Sequence, residues 1–127
     1  NYTCVLVKNN AIHTSNERGV KPLLEWLDKK IELNGFSAAD KVVGKAAAFL
    51  YILLGIKEVY APVMSKSAID TFKMFNVPAS FDTKADAIIN RTGNGLCPME
   101  QAVFKIDSPD IALQKIKYTL IHLQGKK

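Results

Sequence analysis

The residues best equipped for chemistry in this chain lie in or near one eleven-residue stretch, Asn90 to Glu100, reading N-R-T-G-N-G-L-C-P-M-E. Its two glycines and two asparagines tolerate backbone conformations that other residues avoid. Arg91 offers a fixed fork of donors, suited to a phosphate or carboxylate. Asn94 could read an amide or base edge, and Gly95 joins them as a binding candidate; alternatively this is a surface turn in which Asn and Gly adopt φ > 0. Cys97 stands just before a helix start, Pro98-Met99-Glu100, where a helix N-terminus and Arg91 could stabilise a thiolate. Against a nucleophilic role, Glu100 opposes ionisation of Cys97 and no histidine is placed nearby as its base. Glu100 could serve as acid or base, or could complete a capping interaction with the backbone at Cys97.

Two further helix starts could contribute. Lys45 follows Gly44 where an apolar segment begins, so its ammonium could join backbone N–H groups around an anion. A lysine there opposes the helix dipole, although it could equally reach out to solvent. Ser65 and Ser67 flank Lys66 at the next start, where either can be an N-cap or turn a hydroxyl into the same pocket. As an enzyme, the chain would use Lys45 to stabilise negative charge, Cys97 as nucleophile or polar contact, and Glu100 as acid or base. His13, His122 and Trp26 have no partner pattern and read as structural, with Trp26 a packing residue rather than a partner anchor.

These residues need elements to hold them. Thr3–Val7 and Ala11–Thr14 predict an antiparallel hairpin. Leu23, Leu24, Leu27 and Ile31 recur at helical spacing after Pro22, and Asn34-Gly35 ends that helix. Ser37–Asp40 has the spacing of a capping-box variant, and Lys41–Val43 is a turn or a short extended piece. Lys45–Leu54 is apolar on every side, which requires burial and marks the central helix. Glu58–Met64 reads as a strand, Ser65–Phe75 as a helix, Pro78–Asp82 as a strand and Ala85–Ile89 as a helical turn. Pro98–Phe104 reads as a helix, with Val103–Ile106 alternatively a last strand. Pro109–Leu123 is amphipathic, with Ile111, Leu113, Ile116, Leu120 and Leu123 facing inward. A hairpin followed by alternating helices and strands predicts one α/β domain over residues 1–127, a three-layer α/β/α sandwich with a mixed sheet.

Composition narrows the function. The chain has 127 residues, 48% of them hydrophobic, which fits a folded domain and not a disordered one. Seventeen Lys and Arg against twelve Asp and Glu give +5, a mild bias towards anions. The basic residues are scattered and do not alternate with aromatics, so nucleic acid is not the expected partner. The most apolar run, Ala46–Leu54, is too short to span a bilayer. Two cysteines far apart, with no secretory leader, point to the cytoplasm.

Asp40–Ala48 (D-K-V-V-G-K-A-A-A), Glu58–Tyr60 and Asn94–Glu100 (N-G-L-C-P-M-E) resemble a small uncharacterised bacterial family, a domain of unknown function with a cytidine deaminase-like fold. The resemblance covers nearly the whole chain and implies that fold. True cytidine deaminases hold zinc with His-x-Glu or Cys-x-Glu at the start of the central helix and Pro-Cys-x-x-Cys at the start of the next. Those positions fall at Gly44-Lys45-Ala46 and Val63–Ser67, which contain no histidine, cysteine or carboxylate. A catalytic zinc needs three such ligands, so neither a metal nor any other cofactor is expected. The resulting expectation is a cytoplasmic small-molecule-binding domain. Its pocket would join Gly44, Lys45, Ser65 and Ser67 to Arg91, Asn94 and Gly95 around an anionic or nucleotide-like ligand. The alternative is a non-catalytic, self-associating interaction or regulatory module.

Overall fold

Strands β1 (Cys4–Lys8) and β2 (Ala11–Ser15) form the antiparallel hairpin, with Asn9 at φ 54° in its turn. Asparagine is among the few residues that take this left-handed conformation cheaply. The structure, a computed structural model, describes residues 2–17, 19–88, 95 and 97–124.

Helix α1 (Lys21–Asp28) begins with Pro22 in its first turn and is shorter than its apolar spacing predicts. Ser37–Asp40 is a strand, β3, rather than a helix start. Antiparallel β1 pairs along one side of it and parallel β5 (Glu58–Ser65) along the other, so pairing outweighs the local capping pattern. The two-residue β4 (Val42–Val43) continues β3 after a break at Lys41. Both keep one register against β5, Ser37 opposite Glu58 and Val43 opposite Met64. Strand β6 (Ala79–Ala85) runs parallel to β5 along the same stretch, which places it on the other edge. It extends three residues beyond the expected Asp82, and the helical turn expected at Ala85–Ile89 does not form over its described residues.

Helix α2 (Lys45–Leu54) is the central helix, with Ala46 to Tyr51 and Leu54 all buried. Gly55 ends it at φ 76°, donating back to the Ile52 and Tyr51 carbonyls. This left-handed C-cap is what glycine permits. Helix α3 (Lys66–Met74) packs on α2, β5 and β6. Helix α4 (Pro98–Ala102) is short, and Val103–Phe104 is a turn instead of a strand. Helix α5 (Pro109–Gln124) lies on α2 and α4. It turns Ala112 and Ile116 inward, but Ile111 and Leu123, expected inside, are 47% and 40% exposed.

The result is an α/β sandwich on a mixed six-stranded sheet, as expected. One continuous core joins Leu6, Ala38 and Val59 of the sheet to Phe49, Leu50, Phe72 and Ile116 of the helices. Among the described residues no buried side-chain polar atom lacks a hydrogen-bond partner, and no helix is long and apolar enough to cross a membrane.

Candidate functional site

The first turn of α2 has no acidic residue, and its N-cap, Gly44, has no side chain to cap with. Its leading amides therefore need an acceptor from elsewhere. Glu100, 55 residues away on α4, supplies it. The Lys45 amide donates to Glu100 Oε1 at 2.8 Å and the Ala46 amide to Oε2 at 3.0 Å. Glu100 is only 7% exposed, so this carboxylate sits inside the protein against the positive end of the helix. The expectation that Glu100 caps its own helix is corrected: it caps α2. A Cβ at Gly44 would lie 2.5 Å from Glu100 Oε1 and 2.6 Å from its Cδ. Gly44 is thus the space in which the carboxylate fits. Its backbone is extended, at φ −104° and ψ −176°, so conformation alone does not require glycine.

The Lys45 ammonium reaches the same segment. Its Nζ donates to the Phe104 carbonyl at 3.1 Å and lies 5.7 Å from the centre of the Phe49 ring. Lys45 is therefore a tether between α2 and the end of α4 as well as a possible ligand contact.

At the start of α3, buried Ser65 is the N-cap, its Oγ accepting from the Ala68 amide at 3.1 Å. Ser67 Oγ lies 3.1 Å from Ser65 Oγ, and the Ser67 carbonyl accepts from Thr71 Oγ1. Ser67 lines a hollow of about 120 Å³ together with Lys45, Asp86, Ala87, Ile88, Glu100 and Phe104. The hollow lies where α2 and α3 leave the carboxyl ends of the parallel strands.

The structure thus brings Lys45, Ser67 and Glu100 around one hollow, with Gly44 and Ser65 immediately behind as N-caps. Cys97 is the half-buried N-cap of α4, makes no side-chain capping bond and does not line the hollow; its amide donates to the Ile88 carbonyl at 3.0 Å. Gly95 is half-buried in a bend. Arg91 and Asn94 lie outside the described residues. Asp86 and Phe104 joined the hollow without any signal in the sequence, because each is brought there by the path of the chain beyond a regular element.

A second polar cluster was also missed. The Tyr51 hydroxyl donates to Asp40 Oδ2 at 2.7 Å, and Cys4 Sγ lies 3.1 Å from the same hydroxyl. Tyr51 has one proton and gives it to Asp40, so the Cys4 thiol is left as donor to Tyr51. Cys4 and Asp40 are register partners across β1 and β3, and only the sheet reveals that. Burial pushes the Cys4 thiol up to about 12, against the lowering effect of Tyr51 and with a further push from Asp40. Such a thiol stays protonated and unreactive at neutral pH. Burial likewise raises Tyr51 well above its ordinary value, with the Asp40 charge adding to it.

Burial also raises the Asp40 carboxyl, although bonds from Tyr51, Lys41 and Val42 oppose it. The folded protein therefore holds the Asp40 proton at a pH where the unfolded chain has released it. That advantage is complete below 3.8 and disappears as pH rises through the folded value. Asp40→Asn removes this titration. Stability of the wild type minus that of Asp40→Asn, measured by urea unfolding, should fall as pH rises from about 3 and then level off. A flat or rising difference would contradict the assignment.

Comparison with known proteins places the chain. Residues 1–120 match TM1506, Domain of unknown function (DUF1893). The crystal structure at 2.70 Å of a DUF1893 family protein, TM1506 from Thermotoga maritima, superposes with a TM-score of 0.80 and 28% identity, covering 95% of this chain and 80% of that one. Among curated proteins none matches. With a family match over almost its entire length, the chain belongs to the DUF1893 family.

Proposed function

We infer that this chain is a small-molecule-binding domain that works without zinc-dependent deamination, its ligand held where α2 and α3 begin. One observation carries this: Lys45, Ser67, Asp86 and Glu100 line a single hollow at the carboxyl edge of the parallel strands. Open α/β sheets place their ligands at that edge. Among the described residues no group of three His, Cys, Asp or Glu is arranged to hold a metal. Both Glu100 oxygens accept from α2 amides, which speaks against Glu100 as an acid or base.

The ligand class follows from size and charge. A hollow of 120 Å³ is well below the roughly 300 Å³ at which pockets for drug-sized molecules begin. It suits a compact polar molecule better than a whole nucleotide. An anionic group would meet Lys45, and a donor would meet Asp86. Thermal unfolding should be recorded with amino acids, sugar phosphates and nucleotides in turn. A true ligand at 100 times its dissociation constant stabilises by about 2.7 kcal/mol. The rise should be lost in Lys45→Ala, each variant read against its own ligand-free midpoint. No rise with any of these compounds, or an undiminished rise in Lys45→Ala, would sink the proposal.

The self-association reading keeps one specific support. Tyr118 and Ile121, on the outer side of α5, are 71% and 69% exposed. A monomer's mass at every concentration in sedimentation equilibrium would remove it.

A further inference from the structure

We propose a second binding site, for a small organic cation, in the hollow at the amino-terminal ends of β3, β5 and β6. Register places Ser37 opposite Glu58, and Tyr60 between Ala39 and Ser80. Registered neighbours share a face, so Ser37, Glu58, Tyr60 and Ser80 project together. Cys4 and Asp40 show that the opposite face is the one turned to Tyr51 and α2. The hollow measures about 340 Å³, within the range of small-molecule sites; Pro78 is its apolar wall, whereas Val59 and Ala79, register partners whose side chains turn to the core, line it with backbone.

Its hydrogen-bonding groups are unbalanced in a way that selects a ligand. Ser37 Oγ donates to Glu58 Oε2 at 2.6 Å, and the Tyr60 hydroxyl donates to Asp82 Oδ2 at 2.7 Å. Both hydroxyl protons are therefore spent on carboxylates, which they orient. What remains are the carboxylate oxygens, an aromatic ring and the Ser80 hydroxyl, which can donate or accept. Among the described residues no Lys or Arg lines the hollow, and none forms an ion pair with Glu58 or Asp82. This is a negative hollow on a chain of net charge +5. An ammonium or guanidinium on a short apolar stem satisfies all three features. Its N–H groups meet Glu58, its charge meets the Tyr60 ring, and its stem meets Pro78. This site lies at the opposite strand ends from the hollow at Lys45, so the two stand or fall separately.

The test is titration of the isotope-labelled protein, followed by amide resonances, with n-butylammonium, n-butylguanidinium and uncharged n-butanol. Either cation should give saturable shifts at Ser37, Glu58, Tyr60 and Ser80, with a dissociation constant of about 1 mM. n-Butanol should not. Glu58→Gln should weaken cation binding about tenfold while its spectrum otherwise stays that of the folded protein. Preference between the two cations identifies the headgroup. Absence of saturation, an equal response to n-butanol, or unchanged binding in Glu58→Gln overturns the proposal. So do shifts confined to Lys45 and Ser67, or shifts on this face that track protein concentration alone, which would mark a surface covered by a second copy.

Discussion

Replacing Glu100 with alanine should destabilise the fold by about 3 kcal/mol, well above the about 1 kcal/mol typical of single substitutions. The carboxylate accepts from two consecutive amides at the start of the most buried helix of the molecule. Hydrogen bonds to a charged group contribute about 1.5–3 kcal/mol each, and the helix dipole adds to them. Truncation also leaves the amide of Ala46, a residue 1% exposed, without its acceptor. Glu100→Gln should recover part of the loss only, since its NH₂ must face one of two donors. Urea unfolding measures both. A loss below about 1 kcal/mol for Glu100→Ala would show that the amides find another acceptor.

Gly44→Ala should cost about 2 kcal/mol, although the backbone at Gly44 is extended and accepts alanine freely. In such a conformation glycine to alanine normally stabilises, by about 0.4–1 kcal/mol, through the unfolded state. The penalty arises because the new methyl meets the Glu100 carboxyl at 2.5 Å, with Cδ at 2.6 Å and Oε2 at 2.7 Å. The carboxylate can swing aside, but doing so breaks its bonds to the Lys45 and Ala46 amides. A neutral or stabilising Gly44→Ala would mean that the carboxylate is not held in that space.

Much of the fold was legible because some patterns admit a single reading. Ala46 to Leu54 is apolar at every angle, which leaves only a buried helix, and Ser65 begins α3 as an N-cap. Other segments carry patterns that do not choose. Ser37–Asp40 is short and alanine-rich; pairing on both edges makes it a strand, and local sequence cannot report pairing. Along α5, apolar residues occur at nearly every angle, and contact with α2 selects Ala112 and Ile116 over Ile111; Leu123 shares the face of Ile116 but lies in the last turn of the helix. The candidate site was half visible. Lys45, Ser67 and Glu100 could be picked by residue type and position at helix starts. The partner of Glu100 could not, because it lies 55 residues away and a lone buried carboxylate leaves no periodic mark. Asp40, Tyr51 and Cys4 were hidden for the same reason.

The occupied start of α2 also changes what the helix can offer a ligand. Two of its leading amides, the groups that would have cradled an external anion, are already bonded to an internal one. The ligand contacts left at this end are the ammonium of Lys45 and the side chains of Ser67 and Asp86.

A double-mutant cycle between Gly44→Ala and Glu100→Ala examines this arrangement most directly, with stabilities from urea unfolding. With Glu100 present, the added methyl should cost about 2 kcal/mol; with Glu100 truncated it should cost nothing or stabilise slightly, a coupling of about 2 kcal/mol or more. Additive losses, with the methyl equally costly in both backgrounds, would contradict the placement of the Glu100 carboxylate against Gly44.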